Sequence, residues 1–306
     1  MSRDYDFRIK KIAILGLGLI GGSLALALQE SSLAEEIIGL DRNEENIEIA
    51  LARGAIKWGT NDFTQGVKDA DLVIIATPVG ATREVLQQVV PYLKPGCMIT
   101  DVGSTKLRVV EEVEALLPPH LFFIGGHPMA GSEQSGMKAA RGNIFQGATY
   151  LVTPTEKTNQ KALAVLKELI NSLGCQIVEM SPEEHDLAVA SISHLPHIIA
   201  VSLVNLVGRL SEDNTNLLSL AAGGFRDTTR VASSHPIMWR DICLTNKNGL
   251  LKIIEQFEDI LQETKKIIVQ ENNEEILLDK LIQAKKIRES IPVCQKGDSN
   301  ATCSSA

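Results

Sequence analysis

The sequence predicts an α/β domain over residues 1–180, an all-helical domain over residues 181–290 and a flexible tail over residues 291–306. In the first stretch, short apolar runs alternate with helical patterns, an order typical of a doubly wound parallel sheet. Beyond residue 180 the apolar residues follow helical spacing, and no strand is indicated. The last residues are too polar to form a packed core. A length of 306 residues suits two domains of ordinary size.

The candidate strands of the first domain are short runs rich in Val, Ile and Leu. Several are apolar at successive positions rather than at alternate ones, as expected for parallel strands that helices cover on both faces. Helices are predicted between them, for example at Glu44–Arg53 and Arg83–Leu93. The predicted strands are Ile12–Leu15, Ile37–Leu40, Leu72–Ala76, Met98–Asp101, Phe122–Gly125, Thr149–Thr153 and Gln176–Met180.

A helix-start signal marks the beginning of the second domain. Ser181 is suited to cap a helix whose first residue is Pro182, and Glu184 stands where it completes a capping box. Residues 198–207 and 249–268 carry apolar side chains at helical spacings. One modest helical bundle would not bury both stripes. We therefore expect a homodimer that forms through this domain.

The composition limits the classes of partner. The chain carries 22% charged residues and a net charge of −8, so we expect no nucleic-acid partner. Its first residues lack the apolar segment of a signal peptide, and no apolar run approaches the roughly 18 residues that a membrane helix needs. We therefore expect a cytoplasmic protein with no membrane partner. The five cysteines are scattered, without a Cys-x-x-Cys pair, so neither a disulfide framework nor a metal site is predicted.

A glycine motif directly follows the first predicted strand and opens an apolar helix. Gly16, Gly18 and Gly21 form a G-x-G-x-x-G, with Leu19 and Ile20 before the last glycine. The first glycine permits a tight turn, the second lets the backbone approach a pyrophosphate, and the third lets helix and strand pack closely. The pyrophosphate would lie on the positive N-terminus of the helix. The fold class predicted is therefore an α/β Rossmann-like dinucleotide-binding domain followed by an all-α helical dimerisation domain, with these five residues binding the cofactor.

The cofactor is predicted to be NAD. Asp41 ends the next strand, 20 residues beyond the last glycine of the motif, where a carboxylate accepts hydrogen bonds from the adenosine ribose. Its charge would repel the 2′-phosphate of NADP, although Arg42 beside it could offset that repulsion. Thr77 and Pro78 follow the third predicted strand, where they would either line the cofactor cleft or simply end the strand.

Two polar segments that follow strands hold candidates for chemistry. His127 stands between glycines and Pro128 at the carboxyl end of a strand, where open α/β sheets bind their ligands. A neutral imidazole there can accept a proton near pH 7, although a histidine in this place can also merely stabilise a turn. Ser104 belongs to the segment Asp101–Lys106 at the end of another strand.

The helical half holds further candidates. His194 and His197 are three residues apart on one helix face, with Pro196 expected to kink the helix. His194 alone is better explained as a hydrogen-bonded residue between the domains, and no third ligand stands at the spacing of a zinc site. Arg226 and Arg230 flank a turn and are suited to bind carboxylates in bidentate fashion, or else form a solvated charge cluster.

These residues carry a resemblance to the prephenate and arogenate dehydrogenases, the TyrA family. The resemblance implies that Ser104 and His127 lie beside the ring hydroxyl of the substrate, with His127 as the proton acceptor. It also implies that His197 and Arg230 bind the substrate, Arg230 through a carboxylate, and that Trp239 lines the pocket. The matching segments are GLGLIGGSLA (16–25), DVGSTK (101–106), GGHPMAGSEQSG (125–136), SHLPH (193–197), GGFRDTTR (223–230) and HPIMWRDI (235–242).

The resemblance covers residues 10–285 without a large gap. It implies that prephenate is oxidised by NAD to 4-hydroxyphenylpyruvate, CO2 and NADH in tyrosine biosynthesis. His127 would take the hydroxyl proton while hydride moves to the nicotinamide, and loss of CO2 would make the ring aromatic. Many members carry an additional ACT domain for feedback by tyrosine. This chain ends too soon for one, so we do not expect that mode of feedback.

Three other functions compete with this interpretation. Arogenate, in place of prephenate or together with it in a cyclohexadienyl dehydrogenase, differs only in a side-chain amino group, and no motif visibly selects that cation. A β-hydroxyacid dehydrogenase would resemble its class in a Lys followed four residues later by Asn, whereas Lys138 is followed by Gly142, with Asn143 one place late. A non-catalytic NAD sensor would be marked by the loss of His127 or Arg230, and both are present.

Overall fold

The computed structural model describes most of the chain. The chain forms two compact units, Met1–Leu250 and Leu251–Ala306. The predicted tail lies outside the described residues except for Ile291, as do the first eight residues and Glu133 of the GGHPMAGSEQSG segment. The described residues are 9–31, 33–132, 134–213, 216–270 and 273–291.

The first unit is built around one mixed sheet. Its strands are β1 (Lys11–Leu15), β2 (Glu36–Leu40), β3 (Trp58–Thr60), β4 (Leu72–Ile75), β5 (Met98–Asp101), β6 (Phe122–Pro128), β7 (Thr149–Thr153) and β8 (Gln176–Glu179). Their order across the sheet is β3-β2-β1-β4-β5-β6-β7-β8, and among these neighbours β6 and β7 are the antiparallel pair. The order reverses direction at β1, which confirms the predicted doubly wound fold.

Strand β3 and the end of β6 differ from the prediction. Three residues form β3, and its side chains are exposed or half-buried at the sheet edge, so it has no apolar run by which sequence could identify it. Strand β6 runs beyond the predicted end at Gly125 to Pro128, because Gly125–Pro128 pair with β7. His127 is therefore held within a ladder rather than in a loop.

The core lies on both faces of the sheet. On β1, Ile12 and Ile14 pack into one apolar cluster, whereas Ala13 and Leu15 pack into the other. All four are fully buried. Successive apolar residues in a strand are thus explained by helices on both sides, as the sequence pattern predicts.

The helices of the chain follow the predicted helical stretches, although the helix predicted at Glu44–Arg53 ends one residue early, at Ala52. The helix predicted at Arg83–Leu93 stops at Val89 and a short 3-10 turn follows, because Pro91 lacks the N–H that would continue it. The helices are α1 (Leu19–Ser31), α2 (Glu44–Ala52), α3 (Phe63–Gly66), α4 (Thr82–Val89), α5 (Leu107–Leu116), α6 (Gln160–Ser172), α7 (Pro182–Val189), α8 (Leu195–Asp213), α9 (Gly223–Thr229), α10 (Pro236–Thr245), α11 (Lys247–Val269) and α12 (Glu274–Ser290).

Helix α7 begins as predicted, with both hydrogen bonds of the Ser181–Glu184 capping box present at its start. A π-helical turn, Ala190–His194, joins α7 to α8 just before Pro196. The whole run Pro182–Asp213 is long and apolar enough to cross a membrane by length and composition alone. The expectation that no such run exists was wrong. Scattered Ser, His and Asn residues break up the apolar sequence, but they leave its mean hydropathy in the range of a membrane-spanning helix.

Apolar side chains are exposed along the helices of this half. On α8, Leu206 and Leu210 are each 54% exposed. In the second unit, α11 and α12 place few side chains in a core, and the described residues of α12 include no buried one. The exposed apolar residues of α11 and α12 are Leu251, Ile260, Leu261, Ile268, Val269, Ile276, Leu278, Leu281, Ile282 and Ile287.

Candidate active site

The glycine loop between β1 and α1 is shaped by close backbone approaches. Gly16 has φ 100°, and a Cβ there would lie 2.6 Å from the carbonyl oxygen of Ala76. A Cβ on Gly21 would lie 1.9 Å from the carbonyl oxygen of Gly16. Helix α1 begins at Leu19, so its first backbone N–H groups point out of the loop without partners in the helix. Such a loop can receive a phosphate group.

Asp41 fixes this loop to the end of β2. One carboxylate oxygen, Oδ2, accepts hydrogen bonds from the backbone N–H of Leu17 at 2.7 Å and from the amide of Asn46 at 3.2 Å. The other oxygen accepts from the backbone N–H of Asn43 at 2.8 Å. The neighbouring Arg42 pairs with Glu84 at 3.0 Å on the surface. The negative charge thus lies at the loop, while the adjacent cation is directed to another carboxylate.

Thr77 and Pro78 follow β4 at the same edge of the sheet, where Pro78 precedes a short 3-10 turn. The Thr77 hydroxyl is buried and has no hydrogen-bond partner within the described part of the chain. A buried hydroxyl without a partner is costly, and a bound polar ligand would satisfy it. The unsatisfied hydroxyl favours a place for Thr77 in the cofactor cleft over a role that is limited to ending the strand.

The loop from β5 to α5, which carries Ser104, is closed by a buried ion pair. Lys106 is fully buried and its ammonium binds the Asp101 carboxylate. That carboxylate also accepts the backbone N–H of Gly103 at 2.9 Å and of Gly126 at 3.1 Å. The pair therefore ties the Ser104 loop to β6, next to His127. A buried charge is tolerated when it is paired and hydrogen-bonded in this way.

His127 is bonded to a second imidazole. Its Nδ1 lies 2.9 Å from Nε2 of His185, whose Nδ1 lies 2.8 Å from the Asp186 carboxylate. Burial lowers the pKa of His127 well below its ordinary value, and the nearby His185 and Lys106 lower this pKa further. His127 is consequently neutral at pH 7 and able to accept a proton.

Sequence reasoning missed His185 and Asp186. They lie in the first turns of α7, and His185 stands 58 positions after His127 in the chain. The available signal was a His–Asp dipeptide just inside a capped helix, which is also typical of a solvated helix face. Both side chains are in fact buried.

A third histidine continues the network. The pKa of His194 is lowered to about 4 by burial. Its Nδ1 lies 3.2 Å from the side-chain nitrogen of Asn246, which also donates to the backbone carbonyl of Asp186 at 2.7 Å. His194 is thus a buried, hydrogen-bonded residue, and its ring meets Trp239 edge-on with the centroids 5.9 Å apart.

His197 and Trp239 form a stacked pair. Their ring centroids are 3.5 Å apart and the planes differ by 2°. Burial lowers the pKa of His197, although a hydrogen bond to the backbone of Val231 opposes the shift. His197 Nδ1 and Trp239 Nε1 are buried without a hydrogen-bond partner among the described residues. Both atoms are suited to bind a polar ligand.

Both arginines are exposed in the segment that follows α8. Arg230 opens the turn Arg230–Ser233, which contains Val231 and therefore lies against His197. Arg226 donates from Nε to the carbonyl of Ala221 at 3.1 Å. An exposed guanidinium at this place can bind an anion that enters beside the stacked rings.

The structure therefore joins His127, His197 and Trp239, three of the six residues predicted for chemistry and substrate binding, into one network. Contacts run from His127 through His185, Asp186, Asn246 and His194 to the pair of His197 and Trp239. Within the described chain, no hydrogen bond or ring contact links Ser104 or Arg226 to this network. The pairing of Ser104 with His127 stays a prediction.

Comparison with known families matches both parts of the chain. The family described as "Prephenate dehydrogenase, nucleotide-binding domain" matches residues 24–179. The family described as "Prephenate dehydrogenase, dimerization domain" matches residues 181–283. The boundary between them falls at the capped start of α7.

Individual relatives agree with this match. Prephenate dehydrogenase of Bacillus subtilis is 44% identical over 289 residues, which cover 94% of this chain and 77% of the relative. Cyclohexadienyl dehydrogenase of Zymomonas mobilis is 35% identical over 91% of this chain and 95% of its own. The structure of Aquifex aeolicus prephenate dehydrogenase with hydroxyphenyl propionate and NAD+ has a TM-score of 0.87 and 37% identity, covering 92% of this chain and 98% of that one.

Proposed function

Because this chain belongs to the prephenate dehydrogenase family, we propose that it is an NAD-dependent enzyme of tyrosine biosynthesis that converts prephenate to 4-hydroxyphenylpyruvate, CO2 and NADH. The observation that carries the proposal is the half-buried, neutral His127 at the carboxyl edge of the sheet that bears the glycine loop. A proton acceptor beside a dinucleotide site is what oxidation of a hydroxyl-bearing ring carbon requires.

The chemistry balances with one basic group. NAD, when bound, accepts the hydride from the hydroxyl-bearing ring carbon. His127 takes the hydroxyl proton as that hydride leaves. The electron pair of the bond to the departing CO2 then enters the ring, which becomes aromatic, and the phenolate oxygen regains the proton from His127. Aromatisation supplies the driving force, so the protein mainly orients the ring and stabilises charge.

We assign the binding of NAD to the glycine loop and its neighbours. The backbone around Gly16, Gly18 and Gly21 and the first N–H groups of α1, at Leu19 and Ile20, would hold the pyrophosphate. Asp41 would bind the adenosine ribose, and Thr77 and Pro78 would line the cleft, where the unsatisfied Thr77 hydroxyl supports the assignment.

We assign substrate binding to the residues around the stacked pair of His197 and Trp239. His197 and Trp239 would contact it through their unsatisfied ring nitrogens, and the guanidinium groups of Arg226 and Arg230 would bind its carboxylates. Ser104 would lie beside the ring hydroxyl. These positions follow the family resemblance, and the contact network around the stacked pair supports them.

Assays of the purified protein test the proposed substrate. We expect NADH to form in equal amount to the prephenate consumed, because hydride transfer and decarboxylation are coupled. A second candidate function is the oxidation of both prephenate and arogenate. The similarity of this chain to a cyclohexadienyl dehydrogenase from Zymomonas mobilis supports it. Activity with arogenate alone would contradict our choice, and absence of activity with either substrate would contradict the function.

Cofactor preference depends on Asp41. We predict a kcat/KM at least about tenfold higher with NAD than with NADP, since a charge clash with a 2′-phosphate costs on the order of 1–3 kcal/mol. Asp41→Asn should narrow the ratio, and Asp62→Asn, which alters an exposed cap of α3, should leave it unchanged. Equal kcat/KM values for the two cofactors in the unaltered protein would refute this assignment.

We also propose that the chain forms a homodimer through its helical half. The exposed apolar residues of α8, α11 and α12 support this proposal, as does the match to a dimerization domain. Light scattering should give about twice the chain mass of 33.2 kDa. Substitution of both Leu206 and Leu210 by Glu should lower the mass toward that of one chain, whereas Leu51→Glu on α2 should not. A single-chain mass for the unaltered protein at micromolar concentration would exclude the dimer.

We further propose that the protein is a soluble, cytoplasmic enzyme, in which the apolar run Pro182–Asp213 is part of the folded protein and does not span a membrane. The first half of this run holds His185 and Asp186, which bond to His127 and to the start of α5, and a membrane would separate these partners. Its second half carries the exposed residues assigned to the dimer. Recovery of the native protein in the membrane fraction would contradict this location.

A further inference from the structure

We propose that His185 and Asp186 are positioning residues that fix the tautomer of His127, so that its Nε2 is the atom that takes the substrate proton. The proposal deepens the function proposed above and rests on it for its kinetic consequence. The arrangement itself is independent of any substrate, because it concerns the hydrogen bonds within the protein.

Asp186 is placed as an acceptor from three directions. Its Oδ1 lies 2.6 Å from the backbone nitrogen of Lys106 and 2.8 Å from His185 Nδ1, and its Oδ2 lies 3.1 Å from the backbone nitrogen of Leu107. The two backbone N–H groups can only donate. They belong to the start of α5, which has no side-chain cap of its own, so Asp186 takes the place of the missing cap. A helix N-terminus also favours the ionised carboxylate.

The direction of each hydrogen bond follows from that carboxylate. Since ionised Asp186 only accepts, His185 donates from Nδ1, and its neutral ring then has Nε2 as an acceptor. His127 lies 2.9 Å away and must donate to that atom from its own Nδ1. A neutral ring with its hydrogen on Nδ1 has a bare lone pair on Nε2. Nε2 is bonded by no described residue, so it remains available to a substrate.

The same chain of bonds assists the charged state of His127. When Nε2 takes a proton, the ring becomes a cation that stays bonded to His185 through Nδ1. The carboxylate beyond His185 offsets this positive charge in a buried site where charges interact strongly. The pair thus orients the base before reaction and stabilises it afterwards, while neither residue touches the substrate.

Nuclear magnetic resonance of the full-length protein tests the tautomer directly. With ring-15N histidine, the six histidines of the chain can be assigned by single substitutions. We expect His127 to carry hydrogen on Nδ1 and none on Nε2. His185→Phe, which removes the acceptor, should shift hydrogen toward Nε2, whereas His185→Gln, whose amide oxygen can accept, should retain the original state. His120→Gln, away from the network, is the matched control and should change nothing.

Kinetics of the same variants provide the second readout. We expect His185→Phe to lower kcat by roughly 10- to 100-fold with KM changed less than about twofold, and His185→Gln to restore most of the loss. Asp186→Asn should lower kcat in the same way. A thermal unfolding curve with the cooperativity of the unaltered protein shows which variants are folded.

The outcomes separate this inference from the proposed function. Hydrogen on Nε2 of His127 in the unaltered protein, or a tautomer that is the same in folded His185→Phe, would overturn the inference whatever the activity. If His185→Phe fails to fold, the state seen in the unaltered protein and in His185→Gln still decides. The expected tautomer in a protein that is inactive on prephenate and arogenate would instead uphold the arrangement and refute the function.

Discussion

Replacement of His127 by Asn is expected to lower kcat by about 10²–10⁴-fold while the KM values for prephenate and NAD stay nearly unchanged. Asn is close to imidazole in size and can still bond to His185 through its amide. It cannot accept a proton near neutral pH. The loss is therefore confined to the transition state, where the hydroxyl proton moves, and ground-state binding is largely preserved.

Steady-state kinetics of the purified variant checks this expectation. His120→Asn is the matched control, because His120 lies before β6 and outside the network, and it should leave both kcat and KM unchanged. A large rise in KM with an unaltered kcat would show that His127 binds the substrate and that another group takes the proton. A folded variant with full activity would remove His127 from the chemistry altogether.

The sequence was informative wherever a local pattern has a single physical cause. Successive apolar residues in β1 indicated burial on both faces, and the structure has Ile12 and Ala13 in separate clusters. The Ser181–Glu184 capping box marked the start of α7. Strand β3 was missed because an edge strand of three residues has no core-facing pattern to detect.

The candidate site was predictable only in part for a different reason. His127 and the glycine loop can be identified from the sequence, because each combines an unusual residue with a strand end. The contacts that give His127 its surroundings are distant in sequence, and nothing near Asp186 indicates that its carboxylate meets the backbone of Lys106, 80 residues away. Such partners depend on how the helical half packs against β6 and α5. That packing is set by the sum of many apolar contacts and is not encoded in any one motif.

Replacement of Arg230 by Ala is expected to act on binding instead. A guanidinium that holds a carboxylate in the ground state and in the transition state alike contributes to KM rather than to kcat. We expect KM for prephenate to rise by about 30- to 150-fold, equivalent to roughly 2–3 kcal/mol of lost binding, with kcat and the KM for NAD changed little. Arg230→Lys should fall between, because an ammonium retains the charge and loses the bidentate geometry.

Arg108→Ala is the matched control for this change. Arg108 is also exposed and pairs with Glu112 on α5, so its loss removes an equal charge from the surface without altering KM. If Arg108→Ala raised KM as much as Arg230→Ala, the effect would come from net charge and not from a binding site. If Arg230→Ala lowered kcat and left KM intact, the guanidinium would act on the transition state alone. If His127→Asn in turn raised KM and left kcat unaltered, the roles of the two residues would be reversed.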